Sequence, residues 1–489
     1  MPTAGELLES LTTWWPALLL GLDLGLRGLL VLRVIQRGPR HHADALAWIL
    51  VLCLLPFVIG VVGWFLFGEA RLGHRRRSRY AELAERIGDQ MCRVRQPMEH
   101  RAEMEGYDFA ISLAEAVGGT PPRSGNALEL MGCTDEVIDR LIDDLDASKE
   151  HAHLLFYIFL TDATGRRVAA ALQRAALRGV ACRLLVDGVG SAKFLESKLA
   201  EELVESGVQV VSALPVNLVR AAFARVDLRN HRKLVVLDGQ VGYTGSQNIA
   251  EASFAPKKEF APWVDCMVRI EGPVVRDLQE LFLTDWFMDS GEPLEDLLSH
   301  PCPYVEGGVP VQILPTGPLN DLEALTQLSL GALHNAREEI ILTTPYFVPG
   351  EAEISSICTA ARRGVRVVIV LPERNDSRLV AAVSRSYFKD LLDAGVELHA
   401  FQKGLLHAKT MTVDRRLAFV STANFDRRSF ELNFEVSTLV YDSDFASQLR
   451  FLQTSYLEDS RPIEAEEVAR RGYVGRFVDN AAGILSPLL

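Results

Sequence analysis

His231-Arg232-Lys233-Leu234-Val235-Val236-Leu237-Asp238 and His407-Ala408-Lys409-Thr410-Met411-Thr412-Val413-Asp414 share the pattern His-x-Lys-x-x-x-x-Asp. Each is followed by a small-residue turn ending in Asn: Gly245-Ser246-Gln247-Asn248 and Ser421-Thr422-Ala423-Asn424. A single copy could arise by chance in a strand and its turn. Two copies, 176 residues apart and with matching tails, point to one site assembled from two halves, with phosphate as its target.

Lys233 to Leu237 and Thr410 to Val413 are rich in β-branched and apolar residues, so each motif is expected to open a strand. Strand side chains alternate between faces, which puts His231 and Lys233 on one side with Arg232 on the other, and His407 and Lys409 opposite Ala408. A nucleophile or proton donor then stands beside a fixed positive charge. Asp238 and Asp414 come at the strand ends, and Asp238-Gly239 is a tight-turn signal. Two readings stand for these aspartates, a turn former that orients the strand ends or a direct part in phosphate chemistry. Ser246, Asn248, Thr422 and Asn424 can offer neutral hydrogen-bond donors to phosphate oxygens.

The repeat extends beyond the motifs. Arg178-Gly179-Val180 precedes an apolar strand as Arg363-Gly364-Val365 does, and Ser206-Gly207-Val208 matches Ala394-Gly395-Val396. Ala127 to Met131 resembles Val311 to Leu314, and apolar runs at Leu154 to Phe159 and Ile340 to Leu342 are each followed by a helical pattern. Strand-helix alternation with Gly-marked joints, repeated in register, predicts two α/β units from a duplication.

These residues resemble the phospholipase D superfamily, and more narrowly the bacterial cardiolipin synthases of that type. The informative stretches are Leu228-Arg229-Asn230-His231-Arg232-Lys233, Asn424-Phe425-Asp426-Arg427-Arg428-Ser429-Phe430 and Leu432-Asn433-Phe434-Glu435. Two N-terminal apolar segments and the terminal Leu485-Ser486-Pro487-Leu488-Leu489 fit the same group. The second tail departs from the usual Gly-Ser with Ser421-Thr422, and the first carries Ser246 where Gly is common; both swaps keep a hydroxyl. The resemblance implies an α/β fold of duplicated α/β/α sandwich halves with one shared active site, preceded by transmembrane helices. It also implies transfer of a phosphatidyl group between two phosphatidylglycerol molecules, giving cardiolipin and glycerol through a phosphohistidine. A hydrolytic phospholipase D, with water as acceptor, is the rival enzyme. In this scheme Lys233 and Lys409 offset phosphate charge, His231 is the nucleophile and His407 the acid. No metal or other cofactor is needed.

Asp265 and Glu435 follow the two motif histidines by 34 and 28 residues. Each can accept a hydrogen bond from a catalytic histidine and fix its tautomer, or pair with an arginine such as Arg428. The expected organisation is a membrane region over 1–70, a linker over 71–124, phospholipase D-like halves over 125–304 and 305–470, and an amphipathic tail over 471–489.

Ala45 to Phe67 holds 23 residues without a charge, about 34 Å as a helix at about 1.5 Å per residue, which predicts a membrane span. Leu11 to Leu32 is a second candidate, interrupted by Asp23 and Arg27, four apart and able to pair on one helix face. Arg71, Arg75, Arg76, Arg77 and Arg79 favour a cytoplasmic catalytic portion at a bacterial inner membrane, although Arg33, Arg37 and Arg40 in the joining loop pull the other way. The same arginines suit anionic headgroups or plain solvent. The 48% hydrophobic content of 489 residues leaves ample core. A net charge of −13 argues against a nucleic-acid partner. Seven scattered cysteines without a C-x-x-C pair read as reduced structural thiols. His151-x-His153 reads as a strand-edge pair outside any metal-like cluster. The apolar stretch Leu214 to Arg225, present only in the first half, is expected either to dip into membrane or to pack as a loop helix.

Overall fold

The computed structural model describes residues 4–36, 42–55, 57–68, 72–94, 106–216, 225, 227–320 and 323–484. The chain divides into two compact units, Met1–Gly73 with Val216–Asp227, and His74–Pro215 with Leu228–Leu489.

The larger unit is built on strands of two matching series. The first is β1 (Arg123–Met131), β2 (His151–Phe156), β3 (Ala181–Asp187), β4 (Gln209–Ala213), β5 (Leu234–Leu237), β6 (Val241–Gly245), β7 (Trp263–Val264) and β8 (Met267–Glu271). The second is β9 (Val309–Thr316), β10 (Glu339–Thr343), β11 (Phe347–Val348), β12 (Arg366–Pro372), β13 (Glu397–Phe401), β14 (Leu405–Leu406), β15 (Thr410–Val413), β16 (Leu417–Ser421), β17 (Phe425–Asp426), β18 (Glu435–Val440) and β19 (Ser460–Pro462). Fifteen of these form one continuous sheet in the order β19-β13-β12-β10-β15-β16-β18-β9-β1-β8-β6-β5-β2-β3-β4. Read outward from the central antiparallel β1–β9 pair, the two sides have the same order: 8-6-5-2-3-4 against 18-16-15-10-12-13. The duplication read from the sequence is therefore a duplication of topology, a mixed α/β fold made twice.

Alternation along the strands divides the core. Leu154, Phe156, Leu184 and Val186 pack under the first half's outer helices. Val367 and Ile369 do so in the second half. The residues between them, Leu155, Leu185 and Val368, turn to the other face and join a core shared by both halves. Strands buried on both faces need near-continuous apolar runs, which is why Leu154 to Phe156 and Val367 to Leu371 read that way. The matched Arg-Gly-Val joints have one job in both halves. Arg178 and Arg363 close their helices, Gly179 and Gly364 follow at φ 90° and 91°, and each guanidinium reaches carbonyls of a neighbouring helix end, Leu145 or Leu333.

Two expectations are corrected here. His151 and His153 lie on β2 between β3 and β5, inside the sheet and buried rather than at its edge. Two of the arginines after the apolar segments bind protein, while Arg75 and Arg77 are exposed: in α4 (His74–Val94), whose range follows α1 (Ala4–Gln36), α2 (His42–Leu54) and α3 (Phe57–Phe67), Arg76 pairs with Asp289. Arg79 of the same helix donates to the carbonyls of Phe287 and Met288 near the C-terminus of helix Val275–Ser290, where its charge suits the helix dipole.

In the smaller unit, α1 contains Pro16, and Asp23 and Arg27 do pair at 2.7 Å on one face. The stretch expected to span at 45–67 forms two helices of 13 and 11 residues instead. Pro56 falls between them, and a proline has no amide hydrogen to continue a helix. At about 1.5 Å per residue neither reaches the roughly 30 Å of a bilayer core. Among the described residues no helix is long and apolar enough to cross a membrane. Arg37, Arg40, Arg71, residues 217–224 of the first-half stretch and Leu485 to Leu489 lie outside the described residues. Helix Tyr473–Ile484 rests on the catalytic unit through Ala482 and through Asp479, which binds Arg385 and Arg471, while Tyr473, Phe477 and Ile484 remain exposed.

Candidate active site

His231 and His407 stand immediately before β5 and β15, where the chain leaves the other half. The amide of His231 donates to the carbonyl of Phe434 at 2.9 Å, and the amide of Phe434 donates back to Arg229 at 2.9 Å. On the other side His407 and Ala408 both donate to the carbonyl of Val264, at 2.7 and 2.9 Å, and β14 pairs in parallel with β7. Each motif is thus fixed at its start by backbone from the opposite half.

The side chains cross over as well. Nδ1 of His231 lies 2.9 and 3.0 Å from the two carboxylate oxygens of Glu435, in the second half. Nδ1 of His407 lies 2.6 Å from Oδ1 of Asp265, in the first. A carboxylate only accepts, so Nδ1 carries the proton in the neutral ring and Nε2 keeps its lone pair. Both acids take the histidine pairing that the sequence left open. Asn433 donates to Oε1 of Glu435 at 3.1 Å, completing its shell.

Ser246 and Thr422 are placed differently from expectation. Their hydroxyls donate to Asp265 at 2.6 Å and Glu435 at 2.5 Å, and accept the amides of Cys266 and Val436. An ionised carboxylate is the strongest acceptor within reach, so these hydroxyls hold the acids rather than facing phosphate. Oδ1 of Asn248 accepts the amide of Ile158 at 3.0 Å, whereas buried Oδ1 of Asn424 has no partner. Lys233 and Lys409 each donate to the carbonyl of their own motif histidine at 2.6 Å.

Asp238 and Asp414 take the turn-forming role. Asp238 accepts the amides of Lys149, Glu150 and His151 at 2.8–2.9 Å; Asp414 accepts those of Arg337, Glu338 and Glu339 at 2.7–2.9 Å. Each sits at the end of its strand opposite the histidine, seven residues or about 23 Å of extended chain away at about 3.3 Å per residue. The structure does not bring them together with the imidazoles.

Burial sets the charges. It pushes His231 and His407 down to about 4, against the opposing pull of their carboxylate partners, so both rings are neutral near pH 7. Lys233 is pushed down to about 8 by burial, and Lys409 well below the ordinary lysine range. Asp265, although buried, is held at about 2 by His407 and then Lys409. Lys409 also bears on His231 and Lys233 on His407, as expected of one shared centre.

Several supporting residues escaped sequence reading. Arg232, on the far face as alternation predicts, donates to Asp285 at 2.6 Å and to the carbonyls of Glu435 and Thr316 at 3.0 Å. Asp285 also takes Nδ2 of Asn230 at 2.8 Å, so helix Val275–Ser290 fixes the first motif from behind. Tyr157 and Trp263 pack their rings 4.8 and 4.6 Å from those of His231 and His407. Asp285 is one of four acids on its helix, with Asp277, Glu280 and Asp289, so nothing local singled it out, and nothing local marked the two aromatics.

Two duplicated halves, each giving one His/Lys pair to a common buried centre, define a protein of the phospholipase D class. The family model described as "Cardiolipin synthase, PLD-like domain" matches residues 141–286 and 330–452. Cardiolipin synthase A of Pectobacterium carotovorum subsp. carotovorum (strain PC1) is 38% identical over 472 residues, covering 94% of this chain and 95% of that one. The Serratia proteamaculans (strain 568) protein of the same name is 36% identical over 469 residues with the same coverage. The fold is similar to the crystal structure of phosphatidylserine synthase from Haemophilus influenzae Rd KW20, with a TM-score of 0.56 at 15% identity over 78% of this chain and 98% of that one. The chain belongs to the cardiolipin synthase family of phospholipase D-like proteins.

Proposed function

We propose that this chain joins two phosphatidylglycerol molecules into cardiolipin and glycerol, with His231 as nucleophile and His407 as proton carrier. The observation that carries the reading is the crossed pair of Nδ1–carboxylate contacts, which leaves a basic Nε2 on each ring. Nε2 of His231 attacks the phosphorus of the first lipid, and the glycerol oxygen departs with a proton from His407. His407, now a base, takes the proton of a hydroxyl on the second lipid's glycerol as that oxygen attacks the phosphohistidine. Phosphorus is transferred, His231 is released, and His407 ends protonated as it began. The anionic phosphodiester raises the affinity of His407 for that proton, and the shorter contact to strongly acidic Asp265 supports it as the proton carrier. Lys233 and Lys409, with the amides of Asn248 and Asn424, are the proposed phosphate-binding groups.

The proposed partners are phosphatidylglycerol and other anionic lipids at a bacterial inner membrane, with the catalytic unit on the cytoplasmic side. Exposed Trp14, Trp15, Leu18, Leu20 and Leu22 on α1, and Leu46 and Leu50 on α2, support lipid contact by the N-terminal unit. Mass spectrometry of lipids after incubating the reconstituted chain with phosphatidylglycerol tests the whole scheme. Cardiolipin and glycerol are expected, and both are lost in His231→Ala and in His407→Ala. Phosphatidic acid in place of cardiolipin would make the chain a hydrolase.

A further inference from the structure

At the opposite end of β5 from the catalytic histidine, the start of β2 holds an unsatisfied group. His151 is 2% exposed, and neither ring nitrogen has a well-formed hydrogen bond; its polar neighbour in the core is Gln279, whose Oε1 is left equally short of a partner. A neutral imidazole has one N–H and one lone pair, and leaving either unpaired in the interior costs about 1–3 kcal/mol. The duplicate half shows the same position satisfied. Glu339 opens β10 as His151 opens β2, and each gives its amide to the motif aspartate of its half. The carboxylate of Glu339 is then held by Arg366 and Arg450, both at 2.7 Å.

A second observation comes from His300, in the connector between β8 and β9. Its Nδ1 lies 3.1 Å from the carbonyl of Leu297, an acceptor, so Nδ1 bears the hydrogen and Nε2 of the neutral ring is a lone pair. That Nε2 faces Oε2 of Glu150 at 2.9 Å. Two acceptors at this distance need a cation between them, a proton or a metal ion. Donor atoms of Glu150, His151 and His300 all lie within 4.8 Å of one another. A tetrahedral zinc ion with bonds of about 2.0–2.2 Å sets its ligand atoms about 3.3–3.6 Å apart. Reaching that spacing means opening the 2.9 Å Glu150–His300 pair and closing the wider ones, adjustments that fall to the side chains of Glu150 and His300, which are 61% and 31% exposed.

We propose that Glu150, His151 and His300 form a binding site for a divalent ion of the zinc class, apart from the catalytic centre. Two imidazoles, one carboxylate and a water complete a tetrahedral set. The ion fastens the connector between the halves to the start of β2 and gives His151 its missing partner. Asp238 pre-forms the site, because the three amides it accepts are those of Lys149 and of the ligands Glu150 and His151.

The test uses the full chain in detergent, stripped with a chelator and titrated with Zn2+ in equilibrium dialysis, with the thermal midpoint followed in parallel. Because His151 is packed in the core, the variant is Glu150→Gln with His300→Ala, two partly exposed positions. One zinc per chain is expected, with affinity at least about tenfold weaker and the zinc-dependent rise in thermal midpoint absent in the double variant. Co2+ in place of zinc should give the visible absorption of a tetrahedral ion in the wild type only. No zinc binding, or binding of equal strength in wild type and double variant, as through the thiols, would overturn the proposal.

Discussion

At the residue scale, the proposed mechanism rests on tautomer control across the boundary between the two halves. Each imidazole takes its orientation from an acid that its own motif does not contain, His231 from Glu435 and His407 from Asp265. Replacing either acid by its amide keeps the shape but lets an NH2 group face Nδ1, which favours the tautomer with hydrogen on Nε2. Glu435→Gln is therefore expected to lower kcat by about 100-fold or more through slower formation of the phosphoenzyme. Asp265→Asn should lower it through the proton transfers of His407, leaving chain stability much less affected. Rapid-quench kinetics separates the two steps, and an unchanged kcat in both variants would remove these carboxylates from the mechanism.

At the scale of elements, the motif is a strand with a different task at each end. The histidine end meets the other half; the aspartate end pins the loop that leads into the neighbouring strand, β2 or β10. Asp238 and Asp414 each accept three amides at a residue with positive φ, 53° and 51°. Losing such a charge-assisted set is expected to cost about 2–4 kcal/mol. Asp414→Ala should thus lower the thermal midpoint while the folded fraction keeps its kcat. A loss of kcat with unchanged stability would return the aspartate to phosphate chemistry.

At the scale of the molecule, catalysis and a doubled sheet place several imidazoles in the interior. Burial lowers His151, His231 and His407 to about 4 from 6.5, and His153 well below it. Through these rings the unfolded chain binds more protons than the folded one between about 6.5 and 4, so their contribution to stability falls as the pH falls through that window and is level between it and about pH 8, above which the lowered lysines add their own dependence. Each group contributes up to about 1.4 kcal/mol per pH unit there. Thermal melts at stepped pH should show the decline, made shallower in His231→Gln/His407→Gln. A midpoint constant from about pH 7 to about pH 4.5 would mean that these rings titrate normally.

The sequence by itself determined the duplication, the strands and the chemistry of the centre. Those features are local: apolar runs of strand length, Gly after Arg at helix ends, and a His-x-Lys spacing that alternation turns into one functional face. It marked Asp265 and Glu435 as partners for histidines and allowed the turn-forming role of the two motif aspartates. Tertiary structure alone decided that each acid serves the histidine of the opposite half, because β7 meets β14 and Asn230 meets Phe434 only after two segments far apart in the chain dock. It also decided that Ser246 and Thr422 bind carboxylates, that Asp285 fastens Arg232, and that His300 reaches His151. The apolar stretch at 45–67 forms two helices on either side of Pro56, so hydropathy alone does not say whether the segment makes one continuous helix. Sequence specifies what a segment can form, whereas the partner of a buried polar group depends on which distant segment packs against it.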